Sequence, residues 1–324
     1  MAPSIKVLLL ATPPPDFWEE EAMKLIAPRH QVVRFDPKQD PAPQLQGVDA
    51  VLDLGGPKDK KPLADHLAGS VKLWQLVSTG FDHFDVDYWR ERRIPVANTP
   101  GGSSAVSLAE CALMLMMMVS RRWPEAQALL RDRVVGRPRG LELENRRLGL
   151  VGFGASAIEL ARRAKSFSMK ISAIDIRSIS REEQEELGVD FVGGPDQLDE
   201  MIAHSDYLSL HLHLNRETRH TIDARRLRLM KPAAYLINVA RGALVDQEAL
   251  YAALIDKQLA GAGLDVFAEE PVDPDSPLLQ LPNVVAAPHI AGQTQETAER
   301  RAAMAAENLD RVARGLDPIY RVDQ

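Results

Sequence analysis

Three ionisable side chains in the second half of the chain each stand just beyond a short apolar run. Arg241 follows Asn238-Val239-Ala240, Glu270 follows Asp265-Val266-Phe267, and His289 follows Ala287-Pro288. In an open α/β sheet the loops beyond strand C-termini converge on one crevice, so three such loops can deliver three groups to one substrate. A guanidinium holds a carboxylate and polarises a neighbouring carbonyl, and an imidazole gives or takes a proton near neutral pH. A carboxylate set against that imidazole orients the ring and stabilises its charged form. The combination suits hydride transfer at C2 of a small 2-keto or 2-hydroxy acid, where a carboxylate must be held and a forming alkoxide must receive a proton. Singly, the residues have plainer readings: Arg241 in a surface ion pair, Glu270 in a solvated acidic run, His289 as a strand-end cap. Glu269 competes with Glu270 as the partner of the histidine. At successive strand ends the three make a candidate catalytic set.

Hydride transfer needs a carrier, and the chain holds a seat for one. The run Leu148-Gly149-Leu150-Val151 leads into Gly152-Phe153-Gly154-Ala155-Ser156-Ala157 and a helical stretch, and a second apolar run ends at Asp175. Gly152 supplies a tight turn, Gly154 lets a pyrophosphate approach the backbone, and Ala157 gives a small helix-to-strand contact. The helix N-terminus adds the positive end that phosphates require. Asp175 lies 18 residues beyond Ala157, close to the roughly 20-residue offset at which an acidic side chain meets the ribose hydroxyls. It selects NAD, because a 2′-phosphate would be repelled, while Arg177 is the feature that would admit NADP. This chemistry calls for no metal.

The elements that must position these groups are legible as alternation. From Ile5 to Ala97, short apolar runs (Lys6 to Ala11, Val32 to Phe35, Ala50 to Leu54, Val71 to Val77, Val96-Ala97) alternate with helical stretches such as Phe17 to Ala27, as in a small parallel α/β unit. Strand-like runs resume at Leu148 and recur at Ile171 to Ile174, Tyr207 to Leu210, Tyr235 to Val239, Gly263 to Val266 and Val284 to Ala287, the pattern of a doubly wound parallel sheet. Asn98 to Gly102 reads as a hinge, and the amphipathic stretch from Thr294 to Arg314 as a helix returning to the first unit. The apolar stretch Leu108 to Val119 contains Glu110 and falls short of the ~20 residues that cross a bilayer, so it reads as a buried or interface helix. A net charge of −7 leaves no basic footprint for nucleic acid. The single cysteine, Cys111, sits in an apolar run and the N-terminus shows no export signature, so a reducing, cytoplasmic setting and no membrane association are expected.

Several longer signatures resemble the D-isomer-specific 2-hydroxyacid dehydrogenase family across nearly the whole chain. They are Thr79-Gly80-Phe81-Asp82, Gly152 to Ala157 with Asp175, Asn238 to Asp246, Gly263 to Pro271, and Pro282-Asn283 through Pro288 to Gly292. The resemblance implies an α/β fold of two Rossmann-like domains with parallel sheets. Residues 101–292 would form the doubly wound NAD-binding domain, and residues 1–100 with 293–324 a smaller, flavodoxin-like substrate-binding domain, with a cleft that closes on ligand. It implies a homodimer built through the cofactor domain. It assigns Arg241 as substrate clamp, His289 as acid or base, and Glu270, the glutamate just before the proline, as its partner. Cofactor contacts carry over to Thr79, Gly152, Gly154, Ala155, Ser156, Asp175, Leu212, Val239, Ala240, Arg241, Asp265, His289 and Gly292. Substrate contacts carry over to the backbone of Leu54, Gly55 and Gly56.

Two departures bear on the cofactor. Ala155-Ser156-Ala157 stands where the family usually has a larger or basic residue, an aliphatic one and glycine, which implies a weaker hold on the pyrophosphate. His213 replaces a usual proline, which implies a changed loop path near the adenine. Glyoxylate or hydroxypyruvate is the expected substrate. Phosphoglycerate is the alternative, with Lys58, Lys60 and Lys61 as candidate phosphate cations after the Gly55-Gly56 loop. A corepressor-like protein that merely senses NAD is the non-enzymatic alternative, and a formate-oxidising sister enzyme would carry glutamine where Glu270 stands.

Overall fold

A computed structural model describes residues 3–324, which divide into two compact units: the chain up to Ser103 with Thr294–Gln324, and Ser104–Gln293. In the first, strands β1 (Lys6–Leu10), β2 (Gln31–Arg34), β3 (Ala50–Asp53), β4 (Leu73–Leu76) and β5 (Val96–Ala97) form a parallel sheet in the order β2-β1-β3-β4-β5. β3 and β4 are buried along their whole length, as expected of parallel strands covered on both faces. One face is covered by helices Phe17–Ile26 and Gln295–Ala313, which pack on each other. The second helix presents Ala298, Ala302, Ala305, Ala306 and Leu309, all buried, and small side chains at helical spacing let it lie close to its neighbours. Its buried Asn308 donates to Gln75 Oε1 on β4 at 2.8 Å, so a polar pair inside this layer is satisfied.

The second unit is a seven-stranded parallel sheet of β6 (Arg147–Val151), β7 (Lys170–Ile174), β8 (Val189–Gly193), β9 (Tyr207–Leu210), β10 (Tyr235–Asn238), β11 (Gly261–Leu264) and β12 (Val284–Ala286). The order β12-β11-β10-β9-β6-β7-β8 reverses between β6 and β9, the switch point at which open sheets receive ligands. Helix Ala105–Ser120 packs on helix Ala155–Ser166 and crosses β10 to β12. The crossing is close: a Cβ on Gly263 would lie 2.9 Å from Leu115 Cβ. Cys111 is buried in this layer, and burial pushes its thiol up to about 12. Among the described residues no helix is long and apolar enough to cross a membrane.

Strand β8 escapes the apolar pattern of the sequence. It is an edge strand with one neighbour, so its segment carries the exposed Asp190 and Phe191 between buried ends, and the alternation is broken by the lack of a second partner.

Candidate active site

The three ionisable groups stand on the loops after β10, β11 and β12. Asn238 ends β10 fully buried and shapes the first loop from inside: its Oδ1 accepts from Ala240 N at 3.1 Å and its Nδ2 donates to Arg241 O at 2.9 Å. Arg241 follows in extended backbone, its guanidinium donating to Ala240 O at 2.8 Å. Val239 and Ala240 are buried. Gly242 then passes so close to the second loop that a Cβ would lie 1.9 Å from the carbonyl carbon and oxygen of Phe267. Only glycine allows the Arg241 loop and the Glu270 loop to nest. Asp246 closes the first loop by capping helix Gln247–Ile255 through Ala249 N at 3.1 Å.

Glu270 is held at both oxygens. Oε1 accepts from Phe267 N at 3.0 Å, and Oε2 meets His289 Nδ1 at 2.7 Å. Both side chains remain partly open to solvent, so the pair is built for access rather than core stability. His289 adopts φ 56°, a left-handed conformation unusual for a residue with a side chain. Asp265 holds it there: the Asp265 carbonyl accepts from His289 N at 2.8 Å, and its carboxylate from Ile290 N at 2.7 Å and Ala291 N at 2.8 Å. Asp265 is fully buried, and burial pushes its carboxyl upward against the opposing pull of those two amides. Its visible task is therefore to anchor the histidine loop, a role that position in the sequence does not reveal. Gly292 follows in the same turn.

At the switch point, Gly152 has φ 86°, and a Cβ there would lie 2.9 Å from both His211 O and Leu212 Cδ2. Gly154 caps helix Ala155–Ser166, and a Cβ on it would meet nothing within 4 Å. The space over the helix N-terminus is thus an open cradle that a side chain would fill, and it fits an anion. Ala155 is exposed there, Ala157 is buried against the sheet, and Ser156 Oγ lies 2.9 Å from His211 Nδ1. Asp175, at the end of β7, accepts from Phe153 N at 2.6 Å and Arg177 N at 2.8 Å. Arg177 bends back onto the same turn, its Nε 3.4 Å from Asp175 and its guanidinium donating to Phe153 O. A depression of about 330 Å³ opens beside them, lined by Asp175, Ile176, Arg177, Ile179, Val192 and Gly194. Ile176 and Val192 were not singled out from the sequence; Ile176 is 90% exposed, an apolar side chain that no pattern of burial marks. His213 is exposed, and its carbonyl accepts from Thr218 Oγ1 at 2.7 Å, so hydrogen bonds take over the shaping of a loop that lacks the usual proline.

In the first unit, Thr79 O accepts from Asn98 Nδ2 at 2.8 Å and Thr79 Oγ1 from Arg301 at 3.2 Å. In the Leu54-Gly55-Gly56 loop two of the three backbone amides already have acceptors within the unit. Leu54 N donates to Leu10 O at 2.8 Å and Gly55 N to Asp53 Oδ1 at 3.0 Å, which leaves Gly56. Gly55 has φ 106°, and a Cβ on Gly56 would lie 2.8 Å from Leu10 Cβ, so the glycine pair serves backbone geometry. Two of the three lysines beyond are occupied: Lys60 pairs with the buried Asp53 at 2.8 Å and Lys61 with Asp85 at 2.7 Å.

Residues 113–291, within the second unit, match the family described as D-isomer specific 2-hydroxyacid dehydrogenase, NAD binding domain. The glyoxylate reductase of Korarchaeum cryptofilum is 39% identical over 317 residues, covering 95% of this chain and 89% of that protein. The D-3-phosphoglycerate dehydrogenase of Methanocaldococcus jannaschii is 35% identical over 280 residues, 86% of this chain and 52% of that protein. Among solved structures, the NADPH-dependent glyoxylate/hydroxypyruvate reductase of Sinorhizobium meliloti, in complex with NADP and malonate, aligns with a TM-score of 0.82 at 28% identity, over 98% of this chain and 96% of that one.

Proposed function

The chain belongs to the D-isomer-specific 2-hydroxyacid dehydrogenase family, an NAD-dependent class of enzyme, and we propose that it reduces a short unphosphorylated 2-keto acid, glyoxylate or hydroxypyruvate. The observation that carries this reading is the 2.7 Å His289–Glu270 pair, with Glu270 on a loop beside the one that presents Arg241. The reduced nicotinamide, when bound, supplies the hydride that C2 receives. Arg241 holds the substrate carboxylate and polarises the adjacent carbonyl. Glu270 retains the proton on His289 Nδ1, which leaves Nε2–H as the acid for the forming alkoxide. Asp175 receives the ribose hydroxyls and favours NAD, with Arg177 beside it as the group that tolerates NADP.

The pairing of Lys60 and Lys61 with carboxylates favours an unphosphorylated acid over a phosphoglycerate, because a phosphate would have to displace existing ion pairs. The intact acid–base pair favours an enzyme over a sensor of NAD. The exposed apolar side chains Met114, Met117, Trp123, Leu130 and Val135, at and just beyond helix Ala105–Ser120, support the homodimer, which light scattering would read directly.

The test is oxidation of NADH, followed by loss of nicotinamide absorbance, with glyoxylate, hydroxypyruvate and 3-phosphohydroxypyruvate, repeated with NADPH. A higher kcat/KM for one of the unphosphorylated acids is expected. Preference for the phosphorylated acid would overturn the substrate assignment, and NADH binding without turnover of any of them would overturn the enzymatic one.

A further inference from the structure

We infer that His211 is a positioning residue whose tautomer turns the Ser156 hydroxyl into a proton donor at the pyrophosphate seat. The inference rests on the reading of the open cradle over Gly154 as the cofactor's phosphate site, and concerns how that cradle works without a basic side chain.

His211 directly follows β9 at the switch point and bridges two serines: Nδ1 lies 2.9 Å from Ser156 Oγ, and Nε2 lies 3.0 Å from Ser209 Oγ. The heavy atoms allow two arrangements of protons. If Nε2 carries the hydrogen, it donates to Ser209, and the Ser209 hydroxyl proton is left without an acceptor inside β9, where Ser209 is fully buried. If Nδ1 carries it, Ser209 donates to Nε2 and Nδ1–H donates to Ser156 Oγ, so every buried donor is used. The second arrangement is the one the packing selects. It occupies the Ser156 oxygen as an acceptor and leaves the Ser156 O–H pointed away from the histidine, on the partly exposed first turn of helix Ala155–Ser166.

The distinction matters because a pyrophosphate accepts hydrogen bonds and donates none. In the other tautomer Ser156 would spend its proton on His211 and turn lone pairs toward an anion. With Nδ1–H, the hydroxyl joins the free amides of the helix N-terminus as a donor. The chain Ser209, His211, Ser156 thereby supplies from within the sheet what Ala155, in place of a larger or basic residue, does not supply from outside. Burial pushes the His211 imidazole down to about 4, so the ring is neutral and the tautomer is defined throughout the range near neutral pH.

The test pairs spectroscopy on the cofactor-free enzyme with binding. Nitrogen NMR of histidine-labelled protein should show His211 protonated at Nδ1 and bare at Nε2; the opposite tautomer overturns the inference. Titrations with NADH and with ADP-ribose should weaken about tenfold in Ser156→Ala and in His211→Phe, and no further in the double variant. His211→Asn, whose amide nitrogen falls where Nδ1 lies, should restore binding to within about threefold of the parent. Binding of adenosine, which has no pyrophosphate, should be unchanged in all of them. Equal loss for adenosine and ADP-ribose, or failure of asparagine to rescue where the fold is intact, would reduce His211 to a packing role. Absence of NADH binding by the parent enzyme would instead refute the cofactor reading beneath the inference.

Discussion

His289 shows how much machinery one residue needs. Its left-handed backbone costs about 1–3 kcal/mol, and the surrounding loop repays this through three hydrogen bonds to Asp265. Glu270 then fixes the ring by Nδ1. A residue so constrained is aimed, and removing its side chain should affect the chemical step more than binding. His289→Ala is expected to lower kcat by ~10²–10⁴, the usual worth of a general acid, with KM little changed. Arg241→Ala should lower kcat/KM with a strong rise in KM, since the guanidinium acts on the carboxylate before and during the reaction. Steady-state kinetics on the preferred acid separates the two; near-normal turnover in either variant removes that residue from the mechanism. At this scale residue type and spacing singled out Arg241, Glu270 and His289, but the hydrogen bonds made by Asn238, Asp265 and His211 were not legible. Each acts by hydrogen bonds to backbone or side chains brought near by the fold, and residue type alone does not show which partner a buried polar group meets.

At the scale of elements, strand ends and loops decide the site. The period of apolar runs predicts the strands because parallel strands are buried on both faces, and it fails at β8 because an edge strand has no such requirement. Loop contacts were less legible. Gly242 occurs in a run that reads as a motif, yet the reason for it is the Phe267 backbone, which is 25 residues away in sequence. Gly242→Ala should therefore force the Arg241 and Glu270 loops apart. The expected result is a loss of kcat/KM of about tenfold or more, since a misplacement near 1 Å can cost about 10²-fold, with NADH affinity affected less. Full activity in this variant would show that the loops can separate without harm to the chemistry.

For the molecule as a whole, His211 and Cys111 act at opposite ends of the pH range of stability. His211 has a folded pKa of about 4 against an ordinary 6.5, so as pH falls below 6.5 the unfolded chain takes up a proton that the folded one refuses, and stability drops. Cys111 has a folded pKa of about 12 against an ordinary 9.0, so above pH 9 the unfolded chain loses a proton that the folded one keeps, and stability drops again. Thermal unfolding should show a maximum between these limits, and His211→Asn should flatten the acid side; an unchanged acid slope would show that other groups govern it. The sequence by itself determined the α/β class, the two runs of alternating elements and the strand-turn-helix at Gly152 with Asp175 after the next strand, because periodicity and turn chemistry are local. Only the tertiary structure decided which amides of the Gly55 loop are spent internally, which lysines are already paired, and that His211 stands between Ser156 and Ser209. These depend on distances between residues far apart in the chain, and hydrogen bonds and ion pairs act only over a few ångströms.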